Sequence, residues 1–140
     1  GFPDILSQLT TVGEVSQEAF TGMHLLGLLC LDTDNAVASC ADPEKGKIVA
    51  TASLLIERKF IRSCGKAGHI EDVVVDQTYR GKRLGQRVIE ALLVAAREAG
   101  CYKLILDCAE ENAAFYEKCG LTSKEIQMVR YFSILSSLAA

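Results

Sequence analysis

The chain has 140 residues, is 49% apolar and carries a formal net charge of −3. That length suits one domain with a real core and is too short for two ordinary ones, so a single domain over 1–140 is expected. The apolar share argues against long disorder, and the negative balance argues against a general nucleic-acid binder, which would be basic. The longest apolar stretch, Leu25 to Leu31, is far short of a membrane span.

The elements follow in chain order. Residues 3–9 read as the end of a first helix entered through Pro3, and Thr10–Gly13 as a turn. Ser16 is placed to cap a second helix over about 17–30, with Phe20, Met23, Leu26 and Leu29 at helical spacing. Residues 32–35 break it. Ala36–Ala41 and Lys47–Phe60 are predicted as a β-hairpin around the turn Asp42–Gly46. A loop over 62–68 holds Gly65 and Gly68. His69–Val75 ends in a continuous apolar run, as expected of a strand covered on both faces. Leu84–Ala99 is predicted as a helix with Val88, Leu92, Ala95, Ala96 and Ala99 on one stripe and Gly100 just past its end. Tyr102–Cys108 is a further strand, parallel to the one before it if the crossover is right-handed. Asn112–Cys119 is a short helix closed by Gly120, and Gln127–Leu135 a last strand.

Six cysteines (Cys30, Cys40, Cys64, Cys101, Cys108, Cys119) form no C-x-x-C pair and sit in apolar runs. Reduced, mostly buried thiols of a cytoplasmic protein are expected. With only His24 and His69 and no paired ligand spacing, no metal site is expected. The C-terminal Leu138-Ala139-Ala140 matches no common targeting tripeptide.

The run Tyr79-Arg80-Gly81-Lys82-Arg83-Leu84-Gly85 carries the first functional signal. A strand, a turn with glycines and cations, and a helix start together make an anion site: free N–H groups point outward and the helix dipole favours negative charge. Arg80, Lys82, Arg83 and Arg87 add fixed charge there. The alternative is a surface turn with solvated cations. Gly81 and Gly85 are too close for a Walker loop, no Lys-Ser/Thr pair follows, and the G-x-G-x-x-G dinucleotide fingerprint is missing.

The run Arg80–Gly85 resembles the pyrophosphate loop of the GNAT acetyltransferases, Q/R-x-x-G-x-G/A, with Arg83 at the middle glycine position. Asn112-Ala113-Ala114-Phe115-Tyr116-Glu117-Lys118-Cys119-Gly120-Leu121 is similar to that family's N-x-x-A-x-x-F-Y-x-x-x-G-F segment, slightly compressed. The blocks Leu9-Thr10-Thr11-Val12-Gly13, Ile56-Glu57-Arg58-Lys59, Gly68-His69-Ile70-Glu71-Asp72 and Cys101-Tyr102-Lys103-Leu104-Ile105-Leu106-Asp107-Cys108 more narrowly resemble the glucosamine 6-phosphate N-acetyltransferases within it. The likeness runs from about Leu9 to Phe132. It implies an α/β (α+β) GNAT fold: a mixed sheet with a parallel strand pair splayed around acetyl-CoA, and helices on both faces. The family's first strand, expected before residue 1, is absent, so a trimmed or N-terminally short chain is expected. An organellar or glycosomal address in a preceding segment stays open. Residues 133–140 carry no motif.

The resemblance also implies the reaction: acetyl transfer from acetyl-CoA to the amine of glucosamine 6-phosphate, by direct attack in a ternary complex, within UDP-N-acetylglucosamine biosynthesis. Asp107 would orient the amine and help remove its proton; its structural alternative is an N-cap. Glu71 would stand near the sugar and amine, and Tyr116 would face the coenzyme sulfur and assist thiolate departure, where its structural alternative is a core aromatic. Val73, Val74 and Val75 would offer backbone groups to the pantetheine arm. Arg80, Gly81, Lys82, Arg83, Leu84, Gly85 and Gln86 would hold the pyrophosphate, with Asn112 also on the cofactor. Thr10, Lys59, Arg62, Glu71, Asp72, Tyr102, Lys103 and Arg130 would bind the sugar phosphate, each cation having solvated surface charge as its alternative. Strand periodicity puts Lys103 on the same face as Asp107. Acidic residues such as Glu71 and Asp72 in an apolar strand usually need a partner. His69 reads as structural. Cys108 adjoins the site, but no paired histidine supports a covalent route. The family's C-terminal strand takes part in a homodimer, so Arg130 would serve the partner's site. No nucleic acid or membrane partner is expected. The competing readings are an acetyltransferase for another amine, protein or polyamine, and a coenzyme-binding regulator without turnover; retention of Asp107 and Tyr116 argues against the second.

Overall fold

A computed structural model describes residues 2–9, 35–42 and 44–132. The expected helix over 17–30 and Thr10 lie outside the described residues. Four strands form one sheet in the order β1-β2-β3-β4: β1 (Asn35–Ala41), β2 (Ile48–Arg58), β3 (Lys66–Val75) and β4 (Cys101–Ile105). β1–β2 and β2–β3 are antiparallel, and β3–β4 is parallel. The helices are α1 (Phe2–Leu6), α2 (Leu84–Glu98) and α3 (Ala113–Lys118). Residues 1–106 and 107–140 form two compact units.

The hairpin closes because Asp42 organises its turn. Its Oδ1 accepts from the N–H groups of Glu44 at 2.9 Å and Lys45 at 3.1 Å, and Gly46 supplies the positive φ of 63°. Small residues such as Ala38 and Ala52 then pair directly across the strands. The Thr51 hydroxyl, buried in β2, donates to the Ala38 carbonyl at 3.1 Å.

α2 packs across all four strands, and α1 packs on β2 and β3. Val88, Ile89, Leu92 and Ala96 bury one stripe of α2, close to the expected one. Each fully buried aliphatic side chain stabilises by about 1.5–3 kcal/mol. A Cβ at Gly68 would meet Leu54 Cδ1 at 3.0 Å and Ala96 Cβ at 3.5 Å, so glycine lets strand and helix approach. Gly68 therefore lies inside β3 rather than in a loop.

Two irregularities shape the sheet. Thr51 pairs with Val74 but Ser53 with Glu71, so Ala52 faces two residues of β3. This bulge places Asp72 at φ 52°, in the left-handed region. Pairing of β3 with β4 runs only from Lys66–Cys101 to His69–Ile105. Beyond His69 the parallel strands no longer pair, which is the expected splay.

Several boundaries differ from the sequence reading. The segment 62–68 is not a plain loop: it holds most of one turn at Ile61–Cys64, in which Arg62, Ser63 and Cys64 have φ near 56°, 55° and 59°, and then the first three residues of β3, from Lys66. β4 ends at Ile105, so Asp107 lies beyond the strand and its face is not set by strand periodicity. From Gln127 to Phe132 there is no strand, since among the described residues none pairs with that backbone; residues 133–135 of the expected strand lie outside the described residues. None of the five described cysteines is buried: Cys64 and Cys108 are exposed, and Cys40, Cys101 and Cys119 are half-buried. Cys40, Cys64, Cys108 and Cys119 are free thiols. No described helix is long and apolar enough to cross a membrane.

Candidate active site

The anion-binding turn forms as its residues dictate. Asp76 caps a single helical turn, Gln77–Tyr79, and Gly81 follows with φ 80°. Arg83 adopts φ 58° and ψ 19°, the small left-handed region open to an L-residue, in place of the family's glycine. The helical ladder of α2 starts with the Arg87 N–H donating to the Arg83 carbonyl at 3.1 Å. The amides of Leu84, Gly85 and Gln86 precede that ladder and face the helix start. Gly85 is buried, while Arg80, Gly81, Lys82, Arg83 and Arg87 are exposed. Arg80 donates from Nε to the Val75 carbonyl at 3.4 Å, tying the turn to the end of β3. Amides, a helix dipole and cations thus meet beside Val73–Val75, whose backbone is unpaired toward β4. These residues fit a pantetheine diphosphate.

A second cluster sits around Tyr102. Arg62 lies 5.8 Å and Lys103 6.0 Å from the ring centroid. The loop closes on it through the Lys59 N–H, which donates to the Gly65 carbonyl at 2.8 Å. A Cβ at Gly65 would stand 3.1 Å from Tyr102 Cδ1. The Lys59 ammonium contacts Glu57 at 2.5 Å, and His69 Nε2 contacts the same carboxylate at 2.9 Å. Lys59 and then His69 hold the Glu57 carboxyl below its usual range. His69 is therefore engaged structurally. Glu71 and Asp72 are exposed, and no side-chain partner engages either among the described residues. The bulge explains this: it turns the mid-strand carboxylates to the surface.

The second unit carries Asp107, Asn112 and Tyr116. Asp107 Oδ2 accepts from Gln127 Nε2 at 2.8 Å, a contact that sequence reading missed. Asp107 caps no helix; the turn after it, Glu110–Asn112, starts from Ala109. α3 ends as glycine placement implies: Leu121 N–H donates to the Tyr116 carbonyl at 3.2 Å and Gly120 N–H to Glu117 at 2.9 Å, around φ 88° at Gly120. Tyr116 is half-buried and edge-on to Phe115, with centroids 4.9 Å apart. Burial first, then the neighbouring Cys108 and Cys119, push its phenol pKa up. A phenol already holds its proton at neutral pH, and this shift keeps it there. Burial likewise keeps Cys119 a thiol. Arg130 lies over Phe132, 5.5 Å from the centroid, and belongs to this unit, whereas Lys59, Arg62 and Lys103 belong to the first. Among the described residues no cluster of histidine, cysteine and carboxylates could hold a metal.

The mixed sheet, the splayed parallel pair and the turn before α2 define an acetyltransferase of the GNAT type. The model of the acetyltransferase (GNAT) family matches residues 9–121, and the chain belongs to that family. It is 49% identical over 132 residues to the glucosamine 6-phosphate N-acetyltransferase of Arabidopsis thaliana, covering 94% of this chain and 88% of the relative. Glucosamine 6-phosphate N-acetyltransferase 1 of Oryza sativa subsp. japonica is 44% identical, with 94% and 79% covered. The crystal structure of the Arabidopsis thaliana enzyme superposes with a TM-score of 0.84 at 47% identity, covering 94% of this chain and 89% of that one. A Trypanosoma brucei acetyltransferase gives 0.82 at 36% identity, with 94% and 90% covered.

Proposed function

We propose that this chain transfers the acetyl group of acetyl-CoA to the amine of glucosamine 6-phosphate, yielding N-acetylglucosamine 6-phosphate and coenzyme A. The observation that carries the acceptor is the cationic cluster of Arg62 and Lys103 on Tyr102, closed by the Lys59–Gly65 loop. A peptide acceptor would need an open groove instead of fixed positive charge. Relatives named for this acceptor match along nearly the whole chain.

In the transfer an amine nitrogen–carbon bond forms and the thioester carbon–sulfur bond breaks. The amine must lose a proton, and the leaving sulfur must gain one or be stabilised. Asp107, an exposed carboxylate held at one oxygen by Gln127, orients the amine and takes its proton. Tyr116, a protonated phenol at neutral pH, donates toward the sulfur. Glu71 and Asp72 line the acceptor side, with Thr10 on the sugar. The turn Arg80–Gln86 holds the pyrophosphate, Val73–Val75 meet the pantetheine, and Asn112 supports the coenzyme.

The active form in this reading is a homodimer, in which the C-terminal segment pairs with a second copy and brings Arg130 to the partner's site. In support, Ile126, Met128, Tyr131 and Phe132 are all largely exposed in the single chain. A cytoplasmic setting belongs to the same reading, supported by the free thiols of Cys40, Cys64, Cys108 and Cys119.

A coupled thiol-release assay with glucosamine, its 6-phosphate, spermidine and a lysine peptide tests the acceptor. A charge-assisted hydrogen bond is worth roughly 1.5–3 kcal/mol, so two of them favour the phosphorylated sugar by about two to four orders of magnitude in kcat/KM. Lys103→Ala should remove much of that preference and leave glucosamine turnover nearly unchanged. Equal turnover of the two sugars would refute the phosphate pocket.

A further inference from the structure

The segment Asp76-Gln77-Thr78-Tyr79 immediately precedes the turn Arg80–Gln86 and is held from three directions. Asp76 is 3% exposed, an unusual fate for a carboxylate. Its Oδ1 accepts from the Thr78 N–H at 2.9 Å and the Thr78 hydroxyl at 2.7 Å. Its Oδ2 accepts from Lys47 Nζ at 2.6 Å and Gln8 Nε2 at 3.3 Å. Gln8 also accepts from the Gln77 N–H at 3.0 Å, so a residue just past the end of α1 grips both ends of one peptide corner. The Asp76 N–H donates to the Val49 carbonyl at 2.9 Å, which adds β2.

Tyr79 completes the arrangement. Its hydroxyl donates to Asp42 Oδ2, and Asp42 is itself locked by the hairpin turn. The Lys82 ammonium stands 4.8 Å from the Tyr79 ring centroid, so the ring also places a cation of the anion-binding turn. Asp42, Val49, Tyr79, Lys82 and Arg87 line a cleft of about 360 Å³ there.

We propose that Asp76 and Tyr79 are positioning residues for the coenzyme: they clamp the approach to the turn Arg80–Gln86, so that its amides and Lys82 meet the coenzyme's phosphates already ordered. This rests on the reading that the turn holds the pyrophosphate. Preordering strengthens binding by reducing the freedom lost when the ligand arrives. Lys47 and then Thr78 drive the Asp76 carboxyl far below its usual range, consistent with a permanent anion at the centre of the clamp. None of these contacts touches the acceptor cluster around Tyr102.

Calorimetry with coenzyme A and steady-state kinetics on Tyr79→Phe, Asp76→Asn, Thr78→Val and Gly85→Val provide the test. Tyr79→Phe should weaken coenzyme A binding by about 3- to 10-fold, the scale of one hydrogen bond, and raise KM for acetyl-CoA equally. Its kcat at saturation and KM for glucosamine 6-phosphate should not move. Asp76→Asn should show the same split more strongly; if it fails to fold, Thr78→Val carries the comparison. Lower melting temperatures with coenzyme affinity unchanged, while Gly85→Val abolishes binding, would overturn the clamp and leave the turn standing. If Gly85→Val leaves binding intact, the turn itself is misplaced and the clamp falls with it.

Discussion

The segment before α2 and the segment after α3 are built on opposite terms. Residues 76–79 are short and polar, and they are saturated with contacts from Gln8 beyond α1, the hairpin turn with Lys47, and β2. Residues 121–132 hold Ile126 and Met128 at 89% exposure and Tyr131 at 90%, with Gln127 on Asp107 and Arg130 on Phe132 as side-chain contacts. The first region has found its partners within the chain. The second is a sequence of core character without a core, which points to partners supplied from outside it. In the proposed reading, coenzyme binding rests on intrachain order, whereas the acceptor end rests on pairing with a second copy.

The sharpest break of that contrast is at Asp107. Asp107→Ala should reduce kcat by about 10²- to 10⁴-fold, the usual worth of positioned proton transfer, with coenzyme A affinity measured by calorimetry unchanged. Near-normal kcat would move the base elsewhere. Next in size is assembly. Sedimentation of the native chain should give twice the 15.2 kDa of one copy. Met128→Asp should weaken that dimer by roughly 10- to 100-fold, because burying such a side chain is worth about 1.5–3 kcal/mol. A native species of one copy at micromolar concentration would refute the pairing.

The smallest effect sharpens the polar side. The carboxyls of Asp42 and Asp76 are depressed, by Tyr79 and by Lys47 respectively as the first causes. A carboxyl whose folded pKa lies below the unfolded value of about 3.9 contributes stability that is full above that value. The contribution is lost as pH falls through the folded pKa. Thermal melts should thus be flat between about pH 5 and 7 on this account and decline below about pH 4. Asp76→Asn should flatten the acid decline; an unchanged acid limb would mean that Asp76 is not its source.

Much of the fold was legible because it is local. The hairpin around Asp42–Gly46, the α2 stripe and the glycines at 100 and 120 follow from turn chemistry and helical period. The motif order then placed the anion turn. The rest depends on partners far along the chain. Asp76 belongs to no motif in the sequence, and Lys47 and Gln8 reach it from 29 and 68 positions away. The bulge at Asp72 is a register event between two strands, invisible in either alone. Asp107 lies past β4 because strand ends are set by pairing, and His69–Ile105 is where that pairing stops. Gln127 was read as strand from its apolar neighbours, yet its amide is spent on Asp107.

The turn Arg62-Ser63-Cys64 has a consequence for how this chain tolerates change. Three successive non-glycine residues hold positive φ there, a conformation that disfavours L-residues by roughly 1–2 kcal/mol each. Native folds are stable by only about 5–15 kcal/mol, so the turn draws on a visible share of the total. Its mutational spectrum is consequently skewed. Glycine or asparagine at Ser63 relaxes the backbone and frees the guanidinium beside it, while a β-branched residue there raises the strain further. If Arg62 binds the sugar phosphate as proposed, drift toward a hardier chain and drift toward a looser grip on the substrate are, at this position, the same substitution.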